Sequence, residues 1–255
     1  MGLASTVTVL VLHGGGFIGG GPGSVEPLAA DLRAAGYNAI AVDYRTENPR
    51  GNVLGEIATV HRHAKAAEAR GPVVAYGVSA GGTLAAALAA RGEVAGAVVA
   101  GAPTNLLTWV GLAPVATGLL WSRMGMDRAA RREASPYYRL NGRQSPQLLL
   151  YGDIDPTVPI EQGLNYLRVA SGGQPDTTFT LMGISPHTFG PSYRVVAKQW
   201  IQARWPVTPG VKSGVISKTA HVKEALVQSR VVPQFRMKRN RQQRILPSGN
   251  RMPLH

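Results

Sequence analysis

The sequence predicts an α/β protein, a three-layer sandwich in which a mostly parallel sheet is covered by helices on both faces. Three observations carry this. Short Val- and Leu-rich runs alternate with amphipathic segments along residues 5–205, most of those runs are apolar throughout, and glycine or proline punctuates many of the junctions. Strands that are apolar on both sides must be covered on both sides, which a helix layer above and below the sheet provides. With 255 residues, 44% of them hydrophobic, the chain suffices for one large core or for one domain plus an extension.

Residues 6–12 read as a buried strand ending at His13 and the glycine loop Gly14-Gly15-Gly16. Residues 24–35 place Val25, Leu28, Ala29 and Leu32 at helical spacing and stop at Gly36, which predicts a helix with a glycine terminator. The alternation continues with a strand at 38–44, a helix at 53–69, a strand at 72–78, an Ala-rich helix at 80–90 and a strand at 94–100. It resumes with a strand at 147–151, a helix at 161–171, a strand at 177–181 and a helix at 193–204. Between these two stretches, residues 103–146 hold Trp109, Trp121, Met124 and Met126 but no matching strand, and are expected to form a lid-like insertion over one end of the sheet.

The domain is therefore expected over residues 1–205, followed by a basic extension at 206–255. The formal charge is +13, but residues 206–255 carry four Lys and six Arg against the single acid Glu224, a net of +9 that leaves +4 for the rest. Charge excess belongs to the extension, which reads as weakly ordered by itself, and a nucleic-acid role would have to rest on it alone. Such a role is disfavoured. The N-terminus has no positive region and too short an apolar run for a signal peptide or a membrane span, which predicts a cytoplasmic protein without membrane attachment. The absence of cysteine excludes disulfides, thiolate metal sites and cysteine nucleophiles.

The strongest chemical signal is Gly77-Val78-Ser79-Ala80-Gly81, because it joins a predicted strand to a predicted helix. In that context the central residue is forced into a tight turn and its hydroxyl stands exposed at the carboxyl ends of the strands. A helix cap is the plainer alternative for Ser79. A serine nucleophile needs a base, and the base needs an orienting acid. Of the six histidines, only His187 lies in a loop at that end of the sheet and downstream of candidate acids. The acid is Asp153 or Asp155; two residues apart on an extended backbone, they face the same side, and periodicity does not choose between them.

An oxyanion formed at Ser79 requires preorganised donors, which the amides of Gly15, Gly16 and Ala80 could supply. Phe17, Trp109, Trp121 and Met124 could line an acyl pocket or equally be the internal packing of the insertion. No cofactor or metal is expected. The glycine loop has no G-x-G-x-x-G opening into a helix and no P-loop lysine, while His61 and His63, two apart, do not share a helix face.

With these residues in view, the chain resembles the α/β-hydrolase superfamily over about residues 5–205. His13-Gly14-Gly15-Gly16-Phe17, Asp43-Tyr44-Arg45 and Tyr76-Gly77-Val78-Ser79-Ala80-Gly81-Gly82 resemble the hormone-sensitive-lipase-like esterases. Ala134-Ser135-Pro136, Gly152 with Asp155, Val158-Pro159, and His187 with Phe189 resemble the prolyl-oligopeptidase-like and feruloyl-esterase-like carboxylic ester hydrolases. The resemblance implies Ser79, Asp155 and His187 as catalytic residues, selecting Asp155 over Asp153, with Gly15, Gly16 and Ala80 as the oxyanion hole. It implies a serine carboxylic ester hydrolase acting on small or medium acyl esters through an acyl-enzyme. A serine peptidase or amidase and a non-catalytic binding protein are the alternatives. The family normally has two strands before the one that leads to the glycine motif; without them the 38–44 strand is left at a sheet edge, where a second copy of the chain could pair to form a homodimer.

Overall fold

The computed structural model describes residues 6–45, 52–111, 113–171 and 176–207. The extension expected at 206–255 lies outside the described residues apart from its first two, Pro206 and Val207. Among the described residues six strands form one parallel sheet: β1 Thr8–Leu12, β2 Asn38–Val42, β3 Val73–Val78, β4 Gly96–Ala100, β5 Gln147–Tyr151 and β6 Thr177–Leu181, in the order β2-β1-β3-β4-β5-β6. Among the described residues β2 is an outermost strand, the position expected for the 38–44 run, and its Ile40 is exposed.

The helices are α1 Glu26–Ala34, α2 Val53–Glu68, α3 Ala80–Ala89, α4 Pro114–Arg123, α5 Arg128–Ala134, α6 Pro136–Arg139, α7 Glu161–Ala170 and α8 Pro191–Arg204. Period-2 alternation along the strands splits the core in two. Leu10, Leu12, Ala75, Val99 and Leu149 pack with Ile57 and Val60 of α2, Leu84 and Leu88 of α3 and Tyr166 of α7. Val9, Val11, Val74, Val98 and Leu148 face the other way, onto Leu28 and Leu32 of α1 and Trp200 and Ile201 of α8. The insertion belongs to the first side, where α4 to α6 pack Trp121, Met124, Met126 and Ala134 into the core shared with α2, α3 and α7. Among the described residues no helix is long and apolar enough to cross a membrane.

The strands expected at 6–12, 38–44 and 94–100 are each two residues shorter, and two helix starts differ from expectation, both at prolines. The 24–35 helix is preceded by a 3-10 turn over Pro22–Val25, and α1 itself starts at Glu26 with Pro27 in its first turn. Likewise α8 begins two residues early, at Pro191, because a proline lacks only a donor that the first turn leaves unused.

The strand order positions the site. From β1 the chain moves outward to β2 and then returns to β3 on the other flank of β1, so the loops following β1 and β3 leave the sheet in opposite senses. A crevice opens at such a reversal, outside the carboxyl ends of the strands. The loop after β1 carries the three glycines, and the turn after β3 carries Ser79.

Candidate active site

Ser79 sits between the end of β3 and the start of α3 at φ 52°, ψ −122°, a backbone conformation that costs an ordinary residue about 1–3 kcal/mol. Its neighbours make the turn possible. A Cβ on Gly77 would lie 2.1 Å from the Gly81 carbonyl oxygen, and one on Gly81 would lie 2.4 Å from the His13 carbonyl oxygen, so the strand, helix and glycine loop close up only on bare backbone. The Ser79 amide donates to the Ala100 carbonyl at 2.8 Å, tying the turn to the end of β4.

His187, in the loop after β6, places Nε2 2.9 Å from Ser79 Oγ and Nδ1 2.6 Å from Asp155 Oδ2. Asp155, in the loop after β5, is held by the amides of Thr157 and Val158, each donating to Oδ1 at 2.9 Å. A carboxylate only accepts, so Nδ1 carries the proton and Nε2 presents its lone pair to the serine hydroxyl. Asp153 does not meet the histidine: its Oδ1 accepts from the Ser185 amide at 3.3 Å and joins the β5 and β6 loops. Phe189 packs edge-on against the His187 ring at 5.1 Å, over Gly101, where a Cβ would come within 2.8 Å of the phenyl ring. The arrangement can remove a proton from Ser79 and return it to a leaving group.

The glycine loop approaches from the other side, with a Cβ on Gly14 falling 3.1 Å from Ser79 Cβ. Gly15, Gly16 and Phe17 all have positive φ, of 127°, 60° and 66°. Phe17 tolerates this because its ring is buried between Trp109 and Trp121, with centroids 6.2 and 5.9 Å away. Among the described residues, the amides of Gly15, Gly16 and Ala80 donate no backbone hydrogen bond and remain available. Beneath the loop, His13 is buried, its Nδ1 donates to the Gly14 carbonyl at 2.7 Å, and its ring stacks on Tyr44 at 4.1 Å. Burial lowers the His13 pKa, which favours the neutral ring.

Glu56 of α2 is a buried carboxyl near Arg45 Nη1, at 3.6 Å. Burial pushes its pKa up to about 7, with Arg45 pulling in the opposite direction. Because the folded state holds this proton more tightly than the unfolded chain, stability falls as pH rises from the ordinary carboxylate range to about 7, then levels. The loss amounts to about 3 kcal/mol. Glu56→Gln is expected to flatten this fall, measured as urea midpoints between pH 4.5 and 8; an unchanged slope would contradict it.

Ser79 and His187 open into a cavity of about 590 Å³ that also borders Gly14 and Gly15. Its walls include Val25, Leu28, Tyr76, Val78 and Phe189, from the core on the α1 and α8 side of the sheet, together with Arg194 of α8. Phe17, Trp109, Trp121 and Met124, considered above as acyl-pocket residues, do not line this cavity. They are buried in the core on the opposite side, where the two tryptophan rings meet at 5.7 Å. Trp109 also donates from Nε1 to the Thr157 carbonyl at 2.8 Å, bracing the loop that holds Asp155. Sequence reasoning missed Arg194 and the 3-10 turn as cavity walls: both lie in segments whose spacing reads only as a helix, and no motif marks them.

The model of the alpha/beta hydrolase family matches residues 9–250 of the chain. The chain belongs to the alpha/beta hydrolase family. No curated protein matches this hydrolase. Among solved structures it is similar to apo esterase 2 of Thermogutta terrifontis, with a TM-score of 0.64 and 21% identity over 80% of this chain and 86% of that one. It is also similar to the propionate-bound form of that esterase, with a TM-score of 0.63 and 22% identity over 80% and 86% of the two chains. An acetyl ester-xyloside bifunctional hydrolase from Caldicellulosiruptor lactoaceticus gives a TM-score of 0.62 at 16% identity, over 80% and 85%. At these identities the likeness establishes the fold of the hydrolase, and its chemistry must be argued from its own site.

Proposed function

We propose that this hydrolase is a serine carboxylic ester hydrolase that cleaves small or medium acyl esters through an acyl-enzyme. The observation that carries the reading is the hydrogen-bonded line Asp155–His187–Ser79, at 2.6 and 2.9 Å, with the serine in a strained turn. Ser79 Oγ attacks the ester carbonyl as His187 Nε2 takes its proton, and the amides of Gly15, Gly16 and Ala80 receive the developing oxyanion. His187 then protonates the leaving alcohol, and water, activated by the same nitrogen, releases the acid. Asp155 holds the imidazole in the useful tautomer throughout and stabilises its charged form. The esterase 2 structures support the choice of an ester and of a covalent route: that protein is described with propionate and butyrate bound, and as phosphorylated by paraoxon.

A fluorophosphonate probe is expected to label the protein once per chain, and 4-nitrophenyl acetate, butyrate and hexanoate to be hydrolysed. Ser79→Ala is expected to abolish both. A Ser79→Ala protein that still cleaved these esters at the parent rate would overturn the reading.

A further inference from the structure

We propose that the cavity beside Ser79 selects acyl groups bearing a terminal carboxylate, which Arg194 binds. This rests on the ester-hydrolase reading and names the substrate class of the same site. Arg194, in the first turn of α8, lines the cavity into which Ser79 and His187 open. Val25, Pro27, Leu28, Val78 and Phe189 line the cavity with apolar side chains, Ser24 and Tyr76 each add a hydroxyl, and among the described residues no Asp or Glu lines it. A guanidinium at a largely apolar wall favours a counter-charge, and among the described residues the cavity lining offers none.

Asp31 of α1 takes up only part of that demand. Arg194 Nη1 donates to Asp31 Oδ2 at 2.7 Å, while Nε and Nη2 have no hydrogen-bond partner among the described residues. The aspartate is the more exposed member, with 48% of its side chain accessible against 29% for the arginine, so the pair is weak and competes only modestly for the guanidinium. A guanidinium binds two carboxylates through different edges of its fork. The acyl portion is the part of an ester that stays on Ser79 through both steps, whereas the alcohol departs after the first. A walled cavity opening on Ser79 therefore suits the acyl chain, with apolar walls for its methylenes and Arg194 for an acid at its end.

The test compares mono(4-nitrophenyl) adipate with methyl 4-nitrophenyl adipate, which share a leaving group and chain but differ in the terminal charge. The ratio of kcat/KM, acid over neutral ester, is expected to exceed about 10 in the parent protein at low salt, the effect of one charge-assisted contact. It should shrink as salt is raised. Arg194→Met is expected to bring the ratio to about 1. Asp31→Asn, which frees the arginine without removing it, is expected to raise the ratio, and this keeps the inference testable should Arg194→Met fail to fold. A parent protein that cleaves the neutral ester as well as or better than the acid overturns this inference alone, as does an Asp31→Asn ratio that does not rise. Cleavage of neither ester, together with no fluorophosphonate labelling, overturns the ester-hydrolase reading beneath it.

Discussion

Replacing His187 by alanine is expected to lower kcat for 4-nitrophenyl butyrate by about 10⁴-fold or more, because the Ser79 hydroxyl is a poor nucleophile without an acceptor for its proton. The 2.9 Å contact from Nε2 is the structural basis of this expectation. Asp155→Asn should cost a comparable factor for a different reason: an amide at that position can donate to Nδ1, and the proton then moves to Nε2, where it faces the serine uselessly. Residues that act as one unit are not additive. The Ser79→Ala/His187→Ala double variant is accordingly expected to be no slower than either single one, measured by initial rates against the uncatalysed background. His187→Ala retaining a tenth of the parent rate would remove it from the mechanism, as would a double variant slower by the product of the two single effects.

Gly77→Ala carries the largest expected structural effect. The new methyl would sit 2.1 Å from the Gly81 carbonyl oxygen, 2.3 Å from its carbon and 2.5 Å from the Gly82 nitrogen. All three are backbone atoms of the first turn of α3, so no side chain can swing aside. The strand and helix must separate, at a cost of about 3 kcal/mol or more. Gly16→Ala is the control: it has positive φ, at 60°, but nothing within 4 Å of its Cβ, so only the left-handed conformation is penalised, by about 1–2 kcal/mol. Urea unfolding of the two variants should rank them in that order. Equal midpoints would show that the β3–α3 junction yields more readily than the close approach implies.

How much of this was legible beforehand differs from element to element. The strands β5 and β6 are legible to the residue, because each is a short run of strand-forming residues between turn-forming ones. Spacing puts the starts of α1 and α8 two residues from where they fall, since prolines that would break a helix interior are accommodated in its first turn. At the site, Ser79 was marked by its glycines and His187 by elimination among the histidines. Asp155 and Asp153 were not separable by spacing, and only a resemblance to known hydrolases preferred one. In the folded chain the two differ plainly, one facing His187 and the other the Ser185 amide.

The aromatic residues of the insertion illustrate what spacing cannot convey. Trp109 and Trp121 announce apolar burial but not which side of the sheet they are buried on. The fold sets them opposite the cavity, and assigns the walls beside Ser79 to α1, α8 and the 3-10 turn. Arg194 lies 115 positions from Ser79 along the chain and carries no local signature.

Local patterns thus determined the layer architecture and the order of the polar groups along the chain. Hydrophobic period and glycine placement act through neighbours a few residues apart, and a linear sequence records such effects directly. Which carboxylate meets the histidine, which face of the sheet carries the cavity and which cation lines it were decided only when distant segments packed. Those relations depend on the reversal of strand order between β1 and β3 and on contacts across more than a hundred residues, and no spacing in the sequence encodes them.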